Sequence, residues 1–229
     1  MGANATTSVP VYASGEVLTA ANLNITNSGI PVFATTVTRD AAFGGTGEKT
    51  LAEGQFAYIE ATDTTQYYNG SAWLALGGKL GQVVSTVKTD TFSTTSTSFV
   101  DITGFSVSIT PTSASNKVLV LANFEVGNVA AGVDPNFRLM KDSTAIFIGD
   151  TAGSRTRGST GGRAYGDASV AANSLIFLDS PATTSSTTYK VQMLSNTGTT
   201  IYINRSSDDA DSAVRGRFAS SITVMEILA

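Results

Sequence analysis

The chain has 229 residues, of which 41% are hydrophobic, 8% aromatic and only 14% charged, with a net charge of −4 and an isoelectric point near 4.8. Cysteine and histidine are both absent, which excludes disulfides, thiolate zinc sites, iron–sulfur clusters, Ser–His–Asp triads and histidine-based metal or general-base chemistry. The acidic balance argues against a surface that tracks nucleic-acid phosphates; Ser and Thr, together about a quarter of the chain, supply the polarity that charge does not.

A chain of this size can bury one sandwich-sized core, or such a core plus a small appendage. No run approaches about 18 apolar residues, so no membrane span is expected, and residues 1–9 have neither the basic nor the apolar region of a signal peptide. Helix-forming sequence is scarce. Residues 18–24, with Thr19 as N-cap, and a turn over 38–43 are the two candidates, both too short to stand alone. Gly44-Gly45-Thr46-Gly47-Glu48-Lys49-Thr50 approaches a phosphate loop in composition, but Glu48 breaks the Gly-Lys-Ser/Thr succession that the motif needs, so a glycine turn is expected there.

Residues 51–76 read as a small hairpin unit. Strands are expected over 56–60, 66–68 and 73–76, with turn chemistry at Asp63-Thr64-Thr65 and a hairpin signal at Asn69-Gly70. Tyr67, Tyr68 and Trp73 read as core of this unit in preference to sugar-stacking groups. Gly77-Gly78 followed by Lys79-Leu80-Gly81 reads as a hinge. It divides residues 1–80 from a β-rich domain over 82–229.

From Gln82 onward short period-two runs alternate with Ser/Thr/Gly/Asp clusters, the pattern of a sandwich or barrel. Residues 105–110 alternate apolar side chains with hydroxyls. In 117–127, Val118, Val120, Ala122, Phe124 and Val126 share one face, while the other begins with Leu119 and Leu121 and turns polar at Asn123 and Glu125. Further strands are expected over 137–140, 145–148, 174–178, 189–194, 200–204 and 221–228. Several carry apolar residues on both faces (Leu119 with Val120, Ile176 with Phe177, Tyr202 with Ile201), although a two-layer sandwich needs only one apolar face per sheet. Three readings account for the surplus: it covers loops, it is ordinary exposed apolar surface, or it packs against identical neighbours.

Asp208, Asp209 and Asp211 could ligate a cation, but the EF-hand order of ligands is missing, and a solvated acidic turn is the plainer reading. Arg155, Arg157, Arg163 and Tyr165 lie in a Gly/Ser-rich stretch, 152–166, the longest without expected structure. Such a loop is either solvated and mobile, or it meets an acidic glycan or the 208–211 turn of a neighbour. Sequons at Asn4, Asn24, Asn69 and Asn204 are no more than this composition produces by chance. Glu125, Asp134 and Glu226 have no context marking the carboxylate pair of a glycosidase. No metal, cofactor or catalytic residue is expected.

Three stretches resemble structural proteins of tailed bacteriophages. Val9-Pro10-Val11-Tyr12-Ala13-Ser14-Gly15-Glu16-Val17-Leu18-Thr19-Ala20-Ala21-Asn22-Leu23-Asn24 resembles the N-terminal opening of many such proteins. Thr38-Arg39-Asp40-Ala41-Ala42-Phe43, then Leu51-Ala52-Glu53-Gly54 and Gln66-Tyr67-Tyr68-Asn69-Gly70-Ser71-Ala72-Trp73, resembles a small β-unit of tail fibres and minor structural proteins. Ser96-Thr97-Ser98-Phe99-Val100-Asp101-Ile102-Thr103-Gly104-Phe105-Ser106-Val107-Ser108-Ile109-Thr110-Pro111 is similar to the start of a β-domain in that class. The resemblance implies a homotrimeric virion appendage, assembled in the host cytoplasm, that docks on other virion proteins through residues 1–50.

The fold expected is all-β: a small N-terminal β-hairpin region followed by a jelly-roll-like antiparallel β-sandwich. With no heptad run between the segments, a stubby knob is expected in place of a long fibre. Its function would be host adhesion, a host-surface glycan being the ligand class met by distal loops, with Arg155, Arg157, Arg163, Tyr165, Asp208, Asp209 and Asp211 as receptor or subunit-contact candidates. No nucleic acid or membrane insertion is implied. The rivals are a capsid decoration, head-fibre or collar protein that need not touch the host, a depolymerising enzyme, and a secreted adhesin, which would need an export signal.

Overall fold

Short hydroxyl and β-branched side chains at every second position favour pleated backbone, and the computed structural model accordingly holds 48% strand and 4% helix. It describes residues 14–15, 17, 29–45, 49–128, 133–162 and 169–229, without the side chain of Asn128. The chain divides into two units, Met1–Gly78 and Lys79–Ala229.

The first unit contains β1 (Val32–Phe33), a short helix α1 (Thr36–Asp40), β2 (Phe56–Ile59), β3 (Thr64–Tyr68) and β4 (Trp73–Ala75). They form one sheet in the order β1-β2-β3-β4, in which β1 runs parallel to β2 and the other pairs are antiparallel. A capping box starts α1: Thr35 Oγ1 accepts from the Thr38 backbone N–H at 3.2 Å, and Thr38 Oγ1 from that of Thr35 at 3.0 Å. The turn expected at 63–65 lies one step earlier, in a 3-10 turn over Glu60–Thr62 closed by Asp63 in the left-handed region. Asn69 makes the second turn, its Oδ1 accepting from the backbone of Ser71 and Ala72 at 3.0 and 2.8 Å. Phe33, Ala42, Ala57 and Ile59 are the core, with Phe43 and Trp73 packed on it. The helix expected over 18–24 and Thr46–Glu48 of the glycine turn lie outside the described residues, but Gly44 N–H donates to the Lys49 carbonyl at 3.1 Å and closes that turn.

The second unit comprises β5 (Leu80–Lys88), β6 (Phe92–Thr94), β7 (Val100–Ile109), β8 (Lys117–Asn128), β9 (Pro135–Lys141), β10 (Thr144–Ile146), β11 (Thr160–Gly161), β12 (Val170–Asp179), β13 (Thr187–Ser195), β14 (Ile201–Ile203) and β15 (Ser220–Ile227). Four antiparallel pairs are nested by sequence: β9 with β10, β8 with β12, β7 with β13, and β5 with β15. The segment thus pairs as one long hairpin whose successive levels join alternate sheets. Lateral pairing of β15 with β8 and of β13 with β9 completes sheets β5-β15-β8-β12 and β7-β13-β9-β10. This is a jelly roll. The short strand β14 pairs with the end of β8 and with β6, and β11 with β9.

Between the sheets lies a core in which Phe124 touches Phe105 and Phe137 with ring centroids 5.9 and 4.8 Å apart. A bulge in β7 re-phases the alternation. Gly104 takes φ +75°, and Ile102 and Phe105, three apart, both point inward.

Two expectations change. The hinge reading narrows to Gly77-Gly78, where the two units divide, because Leu80 and Gly81 belong to β5: the Leu228 N–H donates to the Lys79 carbonyl, and Gly81 lies against Glu226, where a Cβ would come within 3.0 Å of Oε2. The stretch 152–166 is not structureless either, since it contains β11 on the edge of β9. Strand β5 then carries the chain roughly 27 Å from Leu80 to Lys88. The sandwich thereby has a near end, where Lys79 enters, and a far end.

Candidate functional site

The far end is built around Asn204. It is buried with φ +64°, and its Nδ2 donates to the carbonyls of Lys88 and Asp90 at 2.8 and 3.0 Å while Oδ1 accepts from Ser220 Oγ at 2.5 Å. Its backbone N–H donates to the Glu125 carbonyl at 2.9 Å, and its carbonyl accepts from Phe218 N at 3.0 Å. One residue thus ties the end of β5, the start of β15 and, through its backbone, β8 to the base of the loop over 205–219. Gly127 lets that loop approach β8, because a Cβ there would stand 2.2 Å from the Arg205 carbonyl oxygen. A buried, fully engaged Asn204 is also no accessible glycosylation acceptor.

On this base, the acidic turn is matched by arginines of its own loop. Arg215 grips Asp208 Oδ2 through Nε and Nη2 at 3.0 and 2.7 Å, and Arg217 reaches Asp209 at 2.7 Å. Arg205, whose guanidinium lies 4.0 Å over the Tyr202 ring, stands 3.6 Å from Asp209. The Arg215 bonds hold the Asp208 carboxyl below its ordinary range, aided by the Ala210 backbone N–H. Asp211 is exposed. The sequence marks the carboxylates as candidates but not their partners, Arg205, Arg215 and Arg217. The single legible cue was the i,i+4 spacing of Arg205 and Asp209.

Arg155 and Arg157 lie elsewhere. They belong to an excursion between β10 and β11 that leaves the β9 edge at the level of Leu139 and returns at Phe137. Arg157 Nε donates to the Gly149 carbonyl at 2.7 Å and braces the excursion, while Arg155 is exposed. Arg163 and Tyr165 lie outside the described residues. Within the first unit Trp73 sits on the helix side of the sheet, 5.8 Å from Phe43 and 5.6 Å from Tyr68 between ring centroids, with the Arg39 guanidinium 4.7 Å from its ring. Tyr67 takes the opposite side, in register with Phe56 and Leu74, so only two of the three aromatics expected in the core face it.

The near end holds buried polar groups. Glu226, fully enclosed, accepts from the Thr112 backbone N–H (2.6 Å), Thr112 Oγ1 (2.8 Å), Asn116 Nδ2 (2.7 Å) and Gln82 Nε2 (2.9 Å). Burial alone would raise its pKa, but these donors together outweigh that effect and hold the carboxyl at about 2. Asp179 accepts from Tyr189 Oη at 2.7 Å and pairs with Lys141 Nζ at 3.0 Å; burial and this carboxylate push the phenol well above its ordinary range.

The outer faces of the two sheets differ. On the β7-β13-β9-β10 sheet, Asp101 accepts from Lys190 and Gln192 at 2.7 and 2.6 Å, Gln192 accepts from Arg138 at 2.7 Å, and Ser108 and Thr188 hydroxyls bond at 2.8 Å. On the β5-β15-β8-β12 sheet, Leu178, Leu119, Met225 and Val83 stand in register across all four strands.

Among the described residues no group of three or more Asp, Glu, Cys or His side chains is placed to hold a metal ion, and no helix is long and apolar enough to cross a membrane. Comparison of the chain with protein-family models and with curated proteins finds no match.

Proposed function

We propose that this chain is a non-enzymatic structural protein of a tailed-bacteriophage particle, a homotrimeric knob that docks through residues 1–50 and presents the far end of its jelly roll for host adhesion. The observation that carries the reading is the polarity of the sandwich. The chain enters at Lys79 and returns there through Leu228, while the Asn204-anchored loop stands at the opposite end. A rigid scaffold with attachment at one end and a braced loop at the other suits recognition by loops. The sequence stretches that resemble phage structural proteins agree with it. Glu226, a carboxylate that a glycoside-cleaving reading would draw on, is instead spent on a four-donor structural clasp.

One observation favours the alternative of a capsid decoration, head-fibre or collar protein. Asp208 and Asp209 are already paired with Arg215, Arg217 and Arg205, so the loop offers a charge-balanced tip. Labelling phage particles with antibody against the chain, and measuring whether the purified protein adheres to host cells and blocks infection, tests both. Adhesion with competition supports the knob. Labelled particles without either support the decoration protein, and unlabelled particles overturn both readings.

A further inference from the structure

We infer that the outer face of the β5-β15-β8-β12 sheet is the surface on which copies of this chain meet. The inference rests on the reading of the chain as a self-assembling virion protein and names the face involved. Leu80, Val83, Val87, Ile176 and Leu178 all point outward from this sheet and are between 46% and 62% exposed. Val83 and Leu178 close one apolar row, while Val87 pairs with Ser221 in a polar one. Leu178 pairs with Leu119, Leu119 with Met225, and Met225 with Val83; one level away Ile176 pairs with Leu121, and beyond Met225 the register sets Ile227 beside Leu80.

Two polar members of the face are prepared for covering. Ser85 and Thr223, which continue the Ile176–Leu121 row, bond each other at 2.8 Å, so closing over them strands no hydroxyl. On the outward side of β8, Leu119 and Leu121 follow Lys117, and the face turns polar at Asn123 and Glu125.

Area and self-consistency indicate the occupant. Four strands at about 4.8 Å spacing, over the eight steps from Lys117 to Glu125, present a face of roughly 500 Å². Two such faces together remove about 1,000 Å², the lower bound of a specific interface. A second copy presents an equal face, so the two supply this area together, and closed symmetry repeats the contact without leaving a free end.

The test uses the full chain at about 10 μM, with light scattering for subunit number and far-UV circular dichroism for folding. Val83→Glu and Leu178→Glu are compared with Ser106→Glu on the hydroxyl-rich sheet. The expected result is a trimer for the parent and for Ser106→Glu, and a folded monomer for the two face variants. Trimeric face variants would overturn this face and leave the trimer standing; a monomeric parent would overturn the homotrimer itself; a dimeric parent whose face variants are monomeric would keep the face and replace the symmetry. Because the chain has no cysteine, Val87→Cys and Ser106→Cys give a second readout should a charged variant misfold. Maleimide should label position 87 at least tenfold more slowly than 106 in the assembled parent background, and equal rates would refute the interface.

Discussion

The two outer faces of the jelly roll hang on one core and are made of strands of similar length, yet they meet water differently. On one, Asp101, Lys190, Gln192 and Arg138 are linked by hydrogen bonds and Ser108 bonds Thr188. On the other, Leu178, Leu119, Met225 and Val83 cross the sheet as an apolar row. Strand pleating assigns alternate residues to opposite sides, so the contrast comes entirely from the residues at outward positions and costs the core nothing. A sheet with one core face and one polar face is complete in water; a sheet apolar on both sides is complete only when something covers it.

If that contrast belongs to the surfaces alone, a change in the shared core should damage both sheets together. Phe124 is the sharpest place to ask, since it is 1% exposed and, from β8 of one sheet, touches rings of β7 and β9 in the other. Phe124→Ala should cost about 3–5 kcal/mol, read as a fall in the urea midpoint at unchanged m-value. A loss below about 1 kcal/mol would mean that the sheets do not share one close-packed interior.

The Glu226 clasp comes next. It joins the start of β5, the turn between β7 and β8, and the end of β15, and so holds one sheet to the other. Its carboxyl titrates at about 2 in the folded chain against 4.5 for the free side chain. A depressed pKa contributes stability that is present in full above the unfolded value and lost as pH falls through the folded one, here between 4.5 and about 2. The shift corresponds to about 3 kcal/mol. Urea midpoints measured from pH 7 to pH 2 should fall through that window in the parent and fall less in Glu226→Gln, which begins lower. Parallel curves would show that other carboxyls govern acid unfolding.

A smaller loss is expected at the far end. Gly127→Ala forces a Cβ onto the Arg205 carbonyl, a backbone atom that cannot rotate away, and overpacking of this kind costs about 1–3 kcal/mol. The loop should loosen before the sheets do, so hydrogen exchange should rise over 205–219 and leave both outer faces as they were. Faster exchange in β7 or β13 would tie the far-end loop to the polar sheet and blur the distinction.

The sequence carried one side of this contrast more openly than the other. Residues 105–110 alternate so regularly that strand and inner face follow at once, and the pairs Leu119 with Val120 and Ile176 with Phe177 already announce apolar residues on both sides. Tyr202, the third such place, proved to be covered by its own chain through Arg205. Strand β5 was harder to see, because consecutive Val83 and Val84 and a bulge opposite Met225 and Ile227 break the period. The Gly104 bulge likewise places Ile102 and Phe105 on one side at a spacing that strict alternation forbids. Strand order and the ion pairs of the far-end loop depend on contacts distant in sequence. Asp208 meets Arg215 seven positions on, in a loop that Asn204 anchors to Lys88 and Asp90, more than a hundred positions earlier.

The smallest effect is expected on the polar face itself, and there the comparison is most exposed to failure. Asp101 joins Lys190 at 2.7 Å and Gln192 at 2.6 Å, but half of its side chain faces solvent. Exposed ion pairs contribute about 0.2–1 kcal/mol and are weakened by salt. Asp101→Ala should therefore lower stability by no more than about 1 kcal/mol, by less still in 0.5 M salt, and leave the subunit number unchanged. A loss above about 2 kcal/mol, or a change in subunit number, would mean that this network is buried in the assembly. The hydroxyl-rich sheet would then be a contact surface too, and the difference between the faces would lie in how they bind instead of whether they do.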